Sequence, residues 1–278
     1  MVEAVVNVRT IGINLMNDLT LTFRQRRLEK DERGYLTWKV RERPVNLVAG
    51  ETALVLCDVW DRHWCRGANE RLAKLLPRIN KVVRGARAQG VMIIHAPSEI
   101  VDFYQDSPAR KRVLLASPVE PPPNLPHPDP PLPIDASDGG ADTDDNFGAV
   151  DEPVWTRQHP LIVIDDDRDA ISANGRELYS FYQQRGIKNI ICLGVHANMC
   201  ILNRSFAIKQ MVHWGFTVAL IRDLTDSMYN PAQPPYVNHA EGTRLVVEFI
   251  EKFWCPTVLS EMFLALDVMG CCHQHHNN

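Results

Sequence analysis

Thr52-Ala-Leu-Val-Leu-Cys-Asp58 and Gly194-Val-His-Ala-Asn-Met-Cys200 decide how this chain is read. The first is a nearly continuous apolar run that ends on a carboxylate, the pattern of a strand covered on both faces. The second leaves the apolar run Asn189-Ile-Ile-Cys-Leu-Gly194 and enters a helical stretch over 198–211. Working outward, Leu72, Leu75, Leu76, Ile79, Val82, Val83 and Ala86 share one helical face that Gly90 ends, with a kink expected at Pro77. Val91-Met-Ile-Ile-His95 and Phe216-Thr-Val-Ala-Leu-Ile221 read as further buried strands. Glu177 to Arg185, stopped by Gly186, reads as a helix, as does His239 to Phe253 with Val246, Val247 and Ile250 inward. Strands alternating with helices imply an α/β fold, three layers αβα around a mostly parallel, Rossmann-like sheet.

Three segments lie outside that alternation. Residues 1–48 read as a β-rich extension: Leu19, Leu21 and Phe23 alternate with polar neighbours, LEKDERG makes a turn, and Tyr35 to Val40 is strand-like. Such a hairpin is too small to stand alone and should pack on the main body or on a partner subunit. The main domain is expected over 49–262, interrupted by an insert at about 104–152. Within it, residues 118–133 hold nine of the 19 prolines, and an Asp- and Gly-rich stretch follows. The insert reads as a solvated loop of polyproline character, or alternatively as a lid or subunit-contact arm. Residues 263–278, ending CCHQHHNN, read as a disordered tail.

Composition excludes several classes without naming a reaction. The 278 residues carry a formal charge of −4 and are 45% hydrophobic, unlike a disordered chain. With 30 basic against 34 acidic residues there is no basic footprint for nucleic acid. No apolar run reaches the roughly 18–20 residues that span a bilayer. The first residues lack the basic start of an export signal, so a cytoplasmic location is expected. The seven cysteines, odd in number and without CxxC spacing, read as free thiols.

In open parallel sheets ligands bind at the carboxyl ends of the strands. Three of the expected strands deliver Asp58, His95 and the turn leading to Cys200 to that rim, so an acid, an imidazole and a thiol converge. Cys200 falls at a helix N-terminus, where the dipole should lower the thiol below its free value of about 8.5. A carboxylate such as Asp58 can then take its proton. Each residue alone also fits a structural role: a buried inert thiol, an N-cap, a hydrogen-bonded imidazole.

At Asp58 and Gly194–Cys200 the chain resembles the isochorismatase-like cysteine hydrolase superfamily, which includes nicotinamidases and N-carbamoylsarcosine amidases. The resemblance spans roughly residues 52–260. The family pattern is an Asp ending the first strand, a Lys near the middle, and a Gly-Val-x-x-x-x-Cys turn. The resemblance implies a cis peptide bond at Val195–His196 and an oxyanion hole from the backbone amides of His196 and Cys200. The Lys aligns with Arg157, which would orient Asp58 or the substrate. The segment Asp58-Val-Trp-Asp-Arg-His-Trp-Cys65 departs from the family and suggests a pocket walled by Trp60, His63 and Trp64. Phe103 and Tyr104 are further walls, His95 a rim residue. Tyr229 and Asn230 read first as a capped turn before Pro231 and alternatively as candidate substrate contacts.

Together these imply a cysteine-dependent hydrolase of a small amide or other non-peptide C–N bond, working through a Cys200 acyl-enzyme with Asp58 as base. A vinyl-ether hydrolase and a non-catalytic binding or scaffold protein are the alternatives. The expected partners are a small-molecule substrate and further copies of the chain in a homo-oligomer, with neither nucleic acid nor membrane. No cofactor is expected. Asp61-Arg62-His63 has the Asp-x-His spelling of the nicotinamidase metal pair but lies three residues past Asp58, so a zinc-type site, with His95, His159 and His196 nearby, is the lesser alternative.

Overall fold

The computed structural model describes residues 18–143 and 154–264. The elements run β1 (Asp18–Lys30), β2 (Leu36–Val48), β3 (Thr52–Cys57), α1 (Arg66–Ala88), β4 (Met92–Ala96), α2 (Pro108–Leu114) and β5 (Ala170–Ile171). They continue α3 (Gly175–Arg185), β6 (Asn189–Val195), α4 (Cys200–Asn203), α5 (Ile208–His213), β7 (Thr217–Asp226), α6 (His239–Phe253) and β8 (Thr257–Val258). One eight-stranded sheet has the order β2-β1-β8-β7-β6-β3-β4-β5. From β8 to β5 the pairings are parallel, and the hairpin β1–β2 joins antiparallel through Arg24 opposite Thr257. The tail from 265 and the insert residues 144–152 lie outside the described residues.

Why these strands sit centrally is plain from their side chains. Every residue of β3 and β6 is buried, so both faces must be covered. On one face α1 packs Ile79, Val82 and Val83 with Leu54, Leu56 and Leu193, and the hairpin adds Leu19, Leu21 and Phe23. On the other, α3, α5 and α6 bring Phe181, Met211 and Ile250 against Val55, Ile190 and Leu220. The sheet is thus sandwiched, as the alternation predicts. Pro77 sits inside α1 with its ring exposed, and the helix continues through it.

One expectation needs correction. The helix expected over 198–211 is two short pieces, with Arg204 in an extended conformation at the break. Close packing explains the break: Ser205 lies against Gly175 at the start of α3 and its Oγ accepts the Gly175 N–H at 3.0 Å. A continuous helix would carry Ser205 away from that contact.

The proline-rich insert is irregular and largely exposed, as its composition suggests. It has no regular structure over 118–133, but it is strapped along α3 and α5. Val119 N donates to Ser180 Oγ at 3.0 Å, Leu125 N donates to His213 O at 2.9 Å, and His127 stacks on Trp254 at 4.2 Å. A hollow of about 780 Å3 opens between its residues Glu120–Asn124 and Trp214. Beyond the strap, Gly140 presses on Met228, and Asp142 reaches Arg71.

The sheet also fixes where β3 and β6 can meet. Gly194 has φ 115, and a Cβ there would collide with the Cys57 carbonyl oxygen. Gly194→Ala is therefore expected to cost more than about 1 kcal/mol, read as a lowered urea midpoint at unchanged m-value.

Candidate active site

β3 and β6 are adjacent and parallel, so their carboxyl ends deliver Asp58 and the turn 195–200 side by side. Asp58 adopts φ 51, a left-handed conformation at the end of β3, and is fully buried. Its Oδ1 accepts the Ser98 N–H at 2.7 Å. Its Oδ2 makes no aligned hydrogen bond and faces Arg204 Nε at 3.5 Å. The half-buried Cys200 thiol lies within reach of the same carboxylate. Burial pushes Asp58 above the usual carboxylate range, against the hydrogen bonds from Cys200 and Ser98 and the Arg204 charge.

Cys200 does not behave as the helix dipole suggested. Burial, then the Asp58 charge, pushes its thiol up to about 12. The helix it opens is only four residues long, so little dipole opposes those effects. The resting pair is a neutral thiol beside a carboxylate.

The turn between β6 and α4 is held from several sides. The Val195–His196 peptide bond is cis. Ala197 N donates to Asp226 O at 2.7 Å, and the Asn198 side chain exchanges two hydrogen bonds with the Met228 backbone. Asp226 is itself pinned by Arg71 at 2.7 Å and His239 at 2.9 Å, and despite its burial these partners hold it down to about 2. The N–H groups of His196 and Cys200 are taken up by no turn or cap hydrogen bond among the described residues. Burial, then His63, lowers the His196 imidazole to about 3, so it is neutral.

Around this turn stands an aromatic wall. Trp60 and Trp155 stack at 4.0 Å with an interplanar angle of 5°. His63 lies 5.7 Å from Trp155, 5.2 Å from Trp64 and 5.1 Å, edge-on, from His196. Asp58, Cys200, His196, Trp60, His63 and Trp64 thus converge as the sequence suggested.

The other expected residues do not. Arg157 is exposed, and its backbone pairs with Asp61; the cation beside Asp58 is Arg204. His95 is wholly buried, bound to Gln158 at 2.8 Å and Asp169 at 3.0 Å. Phe103 is exposed, and Tyr104 spends its hydroxyl accepting the Gln158 N–H at 2.9 Å. Tyr229 is buried against Gly242 and donates to Gln233 O, while Asn230 binds Asp138 and caps the turn at Ala232. Sequence reading missed Arg204, Trp155 and Ser98. Arg204 had one signal: it stands four residues after Cys200, one helical turn on.

The residues present do not fit a metal. Asp61 is engaged by Thr156 N and Oγ1, and His63 Nδ1 accepts the Cys65 N–H at 3.0 Å. Among the described residues no group of three or more His, Cys, Asp and Glu side chains can hold an ion. No helix among them is long and apolar enough to cross a membrane.

The fold is shared with a solved structure, and weaker likenesses accompany it. A cysteine hydrolase from Pseudomonas syringae pv. phaseolicola 1448A superposes with a TM-score of 0.50 at 18% identity, covering 79% of this chain and 93% of its own. An isochorismatase family protein from Burkholderia thailandensis gives 0.44 at 13%, covering 78% and 96%. A pyrazinamidase of Pyrococcus horikoshii, in complex with zinc, gives 0.38 at 16%, covering 72% and 94%. No curated protein matches the sequence. The isochorismatase domain model matches residues 52–242, a span running from the start of β3, through Asp58 and the Cys200 turn, into α6. The chain belongs to the isochorismatase family.

Proposed function

We propose that this protein is a cysteine hydrolase of a small amide or related non-peptide C–N bond, with Cys200, Asp58 and Arg204 as its catalytic group. The observation that carries the reading is the buried Asp58 Oδ2, which has no aligned hydrogen bond yet lies beside a thiol and a guanidinium. A raised carboxylate is a better base than a free one, and its lone pair is open to the thiol proton.

In the first step Cys200 Sγ attacks the substrate carbonyl carbon as its proton passes to Asp58. The oxyanion is received by the N–H groups of His196 and Cys200, a contribution typically of about 2.7–4 kcal/mol per donor. Asp58 returns the proton to the leaving amine and a thioester remains. Water then attacks with Asp58 again as base, releasing the acid and the thiol. Arg204, which also pairs with Glu99 at 2.8 Å, keeps Asp58 ionised between steps. The aromatic wall excludes water and faces a small planar substrate. The five free cysteines among the described residues suit a reducing compartment such as the cytoplasm.

Incubation with a panel of small amides, followed by ammonia or amine release and intact mass, tests the reading. Expected is amine release with a transient adduct on Cys200. Turnover of a vinyl ether without an adduct, undiminished in Cys200→Ala, would overturn it in favour of the vinyl-ether reading.

The pH profile supplies a second check. Because Asp58 must be ionised to act and its ionisation is pushed upward, kcat/KM should rise with pH along a limb above the ordinary aspartate value. Arg204→Met removes a cation, so that limb should move up by about one unit or more. A limb that stays in place would remove Arg204 from the mechanism.

A further inference from the structure

The hairpin β1–β2 is far longer than its attachment needs. Each strand has 13 residues, about 44 Å of extended chain. Its base is anchored by Leu19, Leu21, Phe23 and Leu47 in the core, and β1 meets the rest of the sheet at one position, Arg24 opposite Thr257. Beyond that position the hairpin is met only along α6, among the described residues, where Arg26 pairs with Glu248 and Glu251. Two-stranded hairpins are marginal in water without a covered apolar face.

That outer half carries such a face. The register sets Leu28 opposite Trp38, Leu36 opposite Lys30 and Val40 opposite Arg26, so the four apolar side chains share one side. Leu36 is 62% exposed and Leu28 48%, and Tyr35 at the turn is 67% exposed. The body meets this face at the end of α6, where Trp38 touches Phe253 edge-on at 5.5 Å with Lys252 at 5.6 Å over its ring, and Arg26 binds Glu248 at 2.6 Å. The opposite side carries Lys39, Arg41 and Arg43, and with Pro44 these guard β2 against edge-to-edge strand pairing.

We propose that the outer hairpin is the arm by which two copies of this chain dimerise, its apolar face packing on the body of the second copy. The charge distribution chooses that occupant. Residues 18–48 hold eight basic and five acidic residues on a chain whose total charge is −4, so a positive arm meets a negative body. The chain's own residues 1–17 are the less favoured occupant. They enter at Asp18, at the far end of the arm, and the face between is polar, with Thr20 bonded to Asn46.

Sedimentation velocity of the full chain over a micromolar range, beside Leu36→Lys/Val40→Lys, tests the arm. Expected is a native dimer of two 31.6 kDa chains and a variant that sediments as a monomer with unchanged circular dichroism and Tm. Leu28→Lys, on the other strand of the same face, must weaken the dimer in the same direction. A native monomer, or a dimer that survives either variant, overturns the proposal. So does a monomeric chain whose arm binds anionic vesicles or is protected from hydrogen exchange by residues 1–17.

Discussion

Cys200→Ala is expected to abolish turnover of every small amide that the native chain hydrolyses, while Tm stays close to native. The thiol is half-buried at the first turn of a four-residue helix, so losing one sulfur leaves little cavity. Chemistry is affected far more, because among the described residues no other thiol stands at the Asp58 carboxylate with the N–H groups of His196 and Cys200 around it. Cys57 and Cys192 are buried in the sheet, and burial raises both thiols, so neither can substitute. Asp58→Asn should keep the nucleophile but lose its base, for a fall in kcat of about 10²–10⁴-fold. Burst measurements distinguish the two. Asp58→Asn accumulates acyl-enzyme slowly, and Cys200→Ala forms none.

Asp169→Asn is expected to be the largest stability change in the molecule that leaves the chemistry untouched. Asp169 is buried and bound by Arg87 at 2.8 and 2.6 Å, by His95 at 3.0 Å and by Asp165 N at 2.8 Å. Burial opposes its charge, but the hydrogen bonds from His95 and Arg87 win and hold the carboxyl down to about 2. Neutralising it strands Arg87 as a buried unpaired cation, which typically costs about 3–5 kcal/mol. At this chain length that is a fall in Tm of about 10 °C. The sign of the pH effect follows from the depressed value. Asp169 stabilises the fold above its unfolded pKa of about 3.9, and that contribution is lost as pH falls toward about 2. Native and Asp169→Asn stabilities should therefore converge in acid. A gap independent of pH would mean that the carboxylate charge is not what stabilises.

How much of this was readable depends on how far each signal extends along the chain. β3 and β6 were legible because, after a polar first residue (Thr52, Asn189), every residue in them is apolar or small. β5 and β8 were not, since two residues carry no period. The break at Arg204 was hidden because its cause, the contact of Ser205 with Gly175, joins residues thirty apart. The same distance problem misplaced the cation. Arg157 stands where the family order puts a Lys, yet its side chain is exposed, while Arg204 reaches Asp58 from the turn after the nucleophile. His95 was read as a rim residue from its place near the end of β4. Burial beside Asp169 gives it a structural partner instead.

The Cys200 thiol shows the most instructive difference, because the sequence argument used the right principle on the wrong balance. A helix N-terminus does favour a thiolate, but a four-residue helix in a buried site beside an anion does not outweigh desolvation and like charge. In the proposed mechanism Asp58 faces Cys200 and holds it as a neutral thiol until attack. Alkylation of Cys200 against pH, read by peptide mass spectrometry in the native chain and in Asp58→Asn, tests it without any substrate. The account predicts native labelling still climbing above about pH 9, and faster labelling at about pH 8 once the carboxylate charge is gone. Rapid native labelling at about pH 6 that Asp58→Asn abolishes, or identical profiles in the two proteins, would contradict it.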